Sequence, residues 1–189
     1  MKLIFGYTLL LFFCWSCQDT TSPIIQSTAP ITPVSQLSLV VLGTVQDAGF
    51  PQIGCTKSCC QSQWATQPTI QKMVTSLGVI DPETQQTWLF EATPDIKYQT
   101  QQLSAHTYQP DIHMPNGIFL THAHIGHYSG LIQLGREAIG TKDIPVYAMP
   151  QMRTFLRTNC PWNQLVDLNN IALQSLSADS SIQLTQHLH

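Results

Sequence analysis

Three histidines, His122, His124 and His127, stand within six residues at the end of an apolar run, in the stretch GIFLTHAHIGHYSGL over residues 117–131. In an extended strand, residues two apart face the same side. His122 and His124 at a strand's end therefore aim both imidazoles at one point, and a turn after Ile125 brings His127 alongside. Neutral imidazole is a ligand for zinc and for iron(II), so imidazoles this crowded predict a metal site. The slot before His127, where a carboxylate ligand would be expected, holds Gly126. A helix starting just beyond would turn its N–H groups and positive dipole end toward a hydroxide or an anionic substrate.

Such a site needs a scaffold, and the flanking sequence supplies one. Residues 37–43, LSLVVLG, are apolar and β-branched and predict a buried strand. Residues 74–80 and 87–91 are two further strands bracketing Asp81-Pro82-Glu83-Thr84, which predicts a β-hairpin. A polar helix is expected to open at Thr93-Pro94-Asp95 and run to about Leu103, with Thr93 as N-cap and Pro94 in the first turn. The pattern then gives a strand at 117–121, a helix at 129–139, a strand at 144–148, a helix at 150–157 and more strand over 173–188. Strands alternating with helices, led by a hairpin, predict a layered α/β (α+β) domain over residues 38–189.

With 189 residues, 43% of them hydrophobic, the chain can bury one real core. Charged residues make up 10% and the net charge is -3. No basic patch is available to neutralise phosphates, which argues against a nucleic-acid partner.

The first residues, MKLIFGYTLLLFFCWSC, place Lys2 ahead of an apolar run over residues 3–13. That run is too short for a bilayer span of roughly 20 residues but fits a signal-peptide core. Ser16 before Cys17 resembles a bacterial lipoprotein cleavage box, with residues 1–17 as signal peptide and Cys17 as the lipidated residue. Residues 18–37 are rich in Ser, Thr, Pro and Gln without periodicity, as expected of a flexible tether. The expectation is an exported lipoprotein, held to a membrane of the bacterial cell envelope by its lipid.

The segment LTHAHIGHYSGL resembles the His-x-His-x-Asp-His signature of the metallo-β-lactamase fold. The segments LVVLGTVQDAGFPQIGC, LFEATPDIKYQ, REAIGTKDIPVYAMPQMRTFL and NCPWNQLVDLNNI, in this order over residues 39–171, resemble the branch of that family containing pyrroloquinoline quinone biosynthesis protein B. The resemblance implies a four-layer αββα sandwich with its metal site at the sheet edges. It also implies that His122 and His124 bind a first metal and His127 a second. Gly126 occupies the family's aspartate position, which points to one ion, Zn2+ or else Fe2+ or Mn2+. The family takes further ligands from the second half of its sandwich, so the sequence up to His189 is expected to hold the N-terminal half to two-thirds of the fold. His187 and His189 are candidates for the missing ligands.

The resemblance further implies a metal-dependent hydrolase, in which metal-activated water attacks a carbonyl or phosphoryl centre of a small molecule. Asp47 and Asp95 are candidate catalytic residues just outside the metal. The alternative is a non-catalytic exported protein that binds metal or ligand through a degenerate site. A lipid anchor points away from cytoplasmic cofactor synthesis and toward a different substrate.

Cys55, Cys59 and Cys60 crowd together in GCTKSCC. An exported protein favours a disulfide, Cys55–Cys59 or Cys55–Cys60, whereas three neighbouring thiolates also suit a structural Zn2+. Both readings stay open, as does neither. Cys160 stands alone and is expected to be a small buried residue.

Overall fold

The computed structural model describes residues 31–65, 72–109 and 114–189. The expected signal segment 1–17, its Cys17 and linker residues 18–30 lie outside the described residues. Among the described residues no helix is long and apolar enough to cross a membrane.

The described residues form one mixed sheet of six strands in sequence order: β1 (Ser38–Gly43), β2 (Ser76–Asp81), β3 (Gln86–Phe90), β4 (Gly117–Phe119), β5 (Ile144–Ala148) and β6 (Ile171–Ser175). The first three pair antiparallel and β3 to β6 pair parallel. The expected hairpin is β2–β3. Its turn is closed by the Asp81 carboxylate, which accepts the N–H groups of Glu83 and Thr84, as turn aspartates do. Parallel neighbours need crossovers, here α2 (Ile96–Ser104) before β4 and α3 (Pro150–Thr158) with α4 (Trp162–Asp167) before β6. A further helix, α1 (Ser58–Ala65), lies between β1 and β2.

Period-two alternation divides the sheet into two faces. Leu42, Ile80, Leu89, Ile118, Val146 and Ile171 point to one side, where Ile96, Leu103, Leu131, Leu156 and Leu165 pack on them. Each such aliphatic contributes roughly 1.5–3 kcal/mol by leaving water. The other face carries a stacked row, Phe90 on Phe119 at 4.9 Å and Phe119 on Tyr147 at 4.3 Å. Leu176, Ile182, Leu184 and Leu188 line a groove with Val79, Trp88, Phe90 and Phe119 on this second face.

Several elements differ from expectation. β1 is buried on one face only, with Leu39 61% and Val41 54% exposed, because it is an edge strand with a helical layer on one side. The helix expected over 129–139 is a short 3₁₀ turn, Ser129–Leu134. Gly130 N–H, in its first turn, donates to Ala92 O at 2.8 Å and ties this short element to the end of β3. Residues 173–188 are strand only to Ser175. Beyond it Thr185 folds the chain on itself, its hydroxyl accepting the N–H groups of His187 and Leu188. α2 begins at Ile96 with Asp95 as cap residue, and the Thr93 hydroxyl accepts Asp95 N–H and donates to Gln99 Oε1. Cys160 is exposed, because it sits in the α3–α4 corner and not on the apolar side of either helix. α1 has no apolar periodicity in its sequence SCCQSQWA, so nothing signalled it.

Candidate metal centre

Parallel neighbours β3 and β4 end on the same sheet edge, the usual position for a binding site in such folds. Glu91 follows β3 directly, in a left-handed conformation at φ +74°, a strain of about 1–3 kcal/mol that surrounding structure must hold in place. Its N–H continues the ladder to Phe119 O at 2.8 Å. The chain after β4 then carries Thr121 and the histidines, and a 3₁₀ turn at Ile125–His127 bends it back. Two bonds stitch the loops together, Ala92 N to His127 O at 2.9 Å and Gly130 N to Ala92 O at 2.8 Å. Only glycine fits at 130, because a Cβ there would lie 2.0 Å from Thr93 O.

This arrangement brings all three predicted histidines together. The His122 ring is 4.6 Å from that of His124 and 4.2 Å from that of His127, centroid to centroid. It also adds Glu91, which the sequence reading did not single out. Ligand atoms of Glu91, His122 and His127 all lie within 4.8 Å of one another. The signal for Glu91 was a lone carboxylate ending the apolar strand TWLFE.

Thr121 organises the cluster. Its backbone N–H and its hydroxyl both donate to Glu91 Oε1. That hydroxyl has one proton, so with Glu91 ionised it accepts from His122 Nδ1 at 2.8 Å. His122 Nε2 is then the unprotonated nitrogen, as a ligating imidazole requires. Glu91 Oε2 faces His127 Nδ1 at 3.6 Å. Both atoms are buried without a hydrogen-bond partner among the described residues.

The electrostatics show the cost of this burial. Desolvation pushes the Glu91 carboxyl up to about 7, although both hydrogen bonds from Thr121 pull it down. Burial, and next the neighbouring His122, hold His127 below its ordinary value, against the pull of Asp47. An anion that resists ionising beside an imidazole that resists protonation is a pair that a cation would relieve. The donor set of imidazoles and a carboxylate fits a divalent metal.

The two aspartates part company. Asp47, at the turn after β1, sits with its Oδ2 3.6 Å from His124 Nδ1. Asp95 is not brought to the cluster. Its Oδ2 accepts Val74 N–H at 2.9 Å and so ties the cap of α2 to the chain entering β2. His187 is likewise held elsewhere, with Nε2 2.8 Å from Glu83 Oε2 in the β2–β3 turn, at the opposite end of β3 from Glu91. His189 lines the groove on the second sheet face. Of the readings open for the cysteines, the structure joins Cys55 to Cys60 and leaves Cys59 an exposed thiol, Sγ 4.0 Å from that of Cys60. The bridge takes two of the three thiolates that a structural zinc would use.

A β-lactamase superfamily domain matches residues 86–188, which include Glu91 and every histidine of the cluster. The chain belongs to this superfamily. Coenzyme PQQ synthesis protein B of Methylorubrum populi is 30% identical over 116 residues, covering 60% of this chain and 38% of that protein. The corresponding protein of Methylorubrum extorquens strain PA1 is 29% identical over the same length and shares. This superfamily member thus spans well under half the length of the curated relatives it resembles. Among solved structures, Zn2+-bound PqqB from Methylobacterium extorquens superposes with a TM-score of 0.60 at 21% identity, covering 78% of this chain and 52% of that one. A diphosphatase from the PhnP family gives 0.54 at 21% identity, covering 77% and 52%. These place the mixed sheet and its helical layer in the metallo-β-lactamase fold that the sequence segments suggested.

Proposed function

We propose that this superfamily member is a metal-dependent hydrolase acting at an acyl or phosphoryl bond of a small molecule, with its cation held by His122, His127 and Glu91. The observation that carries this reading is the Glu91–His127 pair. Its Oε2 and Nδ1 atoms are buried, unbonded among the described residues and 3.6 Å apart. Two donors of one tetrahedral ion with bonds of about 2.0–2.2 Å are separated by about 3.3–3.6 Å. A good hydrogen bond would be near 2.9 Å.

A divalent ion in this position supplies activation of water near neutral pH and polarisation of the bond to be cleaved. The chain's own residues do the rest. Thr121 fixes the Glu91 carboxylate through two hydrogen bonds and sets the tautomer of His122. The Ala92–His127 backbone bond holds the third imidazole over the same edge. In keeping with this reading, one neighbour of the same fold binds Zn2+ and another is a diphosphatase. Sequence alone supports the cell-envelope location, with Cys17 as the lipid-bearing residue; loss of membrane association in Cys17→Ala would bear it out, and unchanged fractionation would overturn it.

The purified full chain should be assayed for bound metal and for esterase and phosphodiesterase turnover. Stoichiometric metal and turnover, both lost in His122→Ala, are expected. Metal without turnover favours the non-catalytic binding alternative, and absence of metal after zinc supplementation overturns both.

A further inference from the structure

Position 126 lacks the carboxylate that the surrounding signature would place there, yet the space is not empty. A Cβ built on Gly126 would lie 2.1 Å from Asp47 Cβ, 2.6 Å from Asp47 O and 2.8 Å from Asp47 Cα. Residue 126 and Asp47 therefore cannot both carry a side chain here: Asp47 branches from the point where a side chain at 126 would begin. Gly126 is buried, and its φ carries no special demand, so the close approach of Asp47 is what requires glycine.

The turn that delivers Asp47 is built to hold it. Gln46 Oε1 accepts the N–H of Ala48 at 2.9 Å, its Nε2 donates to Gly49 O at 2.9 Å, and Gly49 N–H donates to Gln46 O at 2.9 Å. Gly49 takes a left-handed conformation at φ +79°, which glycine adopts without penalty. The carboxylate so placed faces His124, Oδ2 to Nδ1 at 3.6 Å. That separation matches the one between Glu91 and His127 and is within the range of two donors about one ion. Asp47 and His124 lie outside the set Glu91, His122 and His127 whose ligand atoms are all within 4.8 Å of one another, and meet it through the His122–His124 ring contact. The cluster thus has a buried carboxylate–imidazole pair and a solvent-facing one, with His122 in contact with both imidazoles.

We propose that Asp47 is a metal ligand of this centre, supplying with His124 the carboxylate that position 126 does not. The ligand set is thereby moved from the histidine loop to the turn after β1, and Gly126 is the condition for that move and not a lesion. This rests on the metal reading of the histidine cluster.

The test is a chelator-competition titration of Zn2+ into the full chain and its Asp47→Asn variant, with the Co2+-substituted absorption spectrum as second readout. Asp167→Asn, at an exposed position ending α4 just before β6 and so at the other end of the parallel strands, serves as the control. Asp47→Asn should bind Zn2+ at least about 10-fold more weakly and alter the Co2+ spectrum, whereas Asp167→Asn should do neither. Asp47 is on a surface turn, so circular dichroism should show both variants folded. Wild-type affinity and an unchanged Co2+ spectrum in folded Asp47→Asn would overturn this assignment and leave the metal reading standing. A wild-type chain that binds no Zn2+ would overturn the metal reading and this inference with it.

Discussion

Glu91 and His127 meet at 3.6 Å, Oε2 to Nδ1, beneath the histidine loop, and no described residue hydrogen-bonds either atom. Unpaired buried polar atoms cost about 1–3 kcal/mol each, so the pair marks a place where stability has been given up. Glu91→Gln keeps the shape and removes the charge. Its Zn2+ affinity should fall by about 10- to 100-fold, while the thermal midpoint of the zinc-free protein stays level or rises. A fall in both would mean that Glu91 serves the fold and not a cation. Titration calorimetry and a melting curve on the same samples separate the two.

Thr121 links Glu91 to His122 through one hydroxyl. Thr121→Val preserves the branched shape and the backbone N–H bond to Glu91 but leaves His122 Nδ1 without its acceptor. The expected result is roughly 10-fold weaker Zn2+ binding with a stability change of only about 0.5–1.5 kcal/mol. Denaturant unfolding of the zinc-free variant checks the second figure.

Gly130 packs against the Thr93 carbonyl so closely that an added Cβ would lie 2.0 Å from it. Gly130→Ala must push the histidine loop off the end of β3, and overpacking of this kind costs about 1–3 kcal/mol. A lowered urea midpoint with an unchanged slope is the expected observation.

Cys160 is exposed at the α3–α4 corner. Cys160→Ser should therefore change stability by less than about 0.5 kcal/mol, and native protein should react with a maleimide at this position. A loss of several kcal/mol would restore the buried role that its isolation in the sequence suggested.

The sheet and the histidine centre were legible for the same reason: both are written in short-range pattern. Apolar, β-branched runs and the turn residues between them located β1, the β2–β3 hairpin, β4 and β5, and the spacing of His122, His124 and His127 announced their convergence. What pattern does not carry is a contact between distant segments. Asp47 against Gly126, and Glu91 against His127, join residues tens of positions apart, and neither pair has a local sequence signature. Asp95 looked equivalent to Asp47 because both are loop aspartates; only the Val74 N–H that claims Asp95 distinguishes them. Leu39 and Val41 read as buried because their composition is that of a core strand, whereas the second sheet face leaves them open. The 3₁₀ turn after the histidines was missed because Leu131 and Leu134, three residues apart, share one side of a 3₁₀ turn as readily as of an α-helix.

The central claim is that a divalent cation belongs between Glu91, His122 and His127. Crystals of the full chain grown with Zn2+ and measured on both sides of the zinc absorption edge test it most directly. The account predicts an anomalous peak about 2.0–2.2 Å from nitrogen atoms of His122 and His127 and from a Glu91 oxygen. A peak confined to the Cys55–Cys60 loop, or an empty histidine cluster at saturating Zn2+, would contradict it.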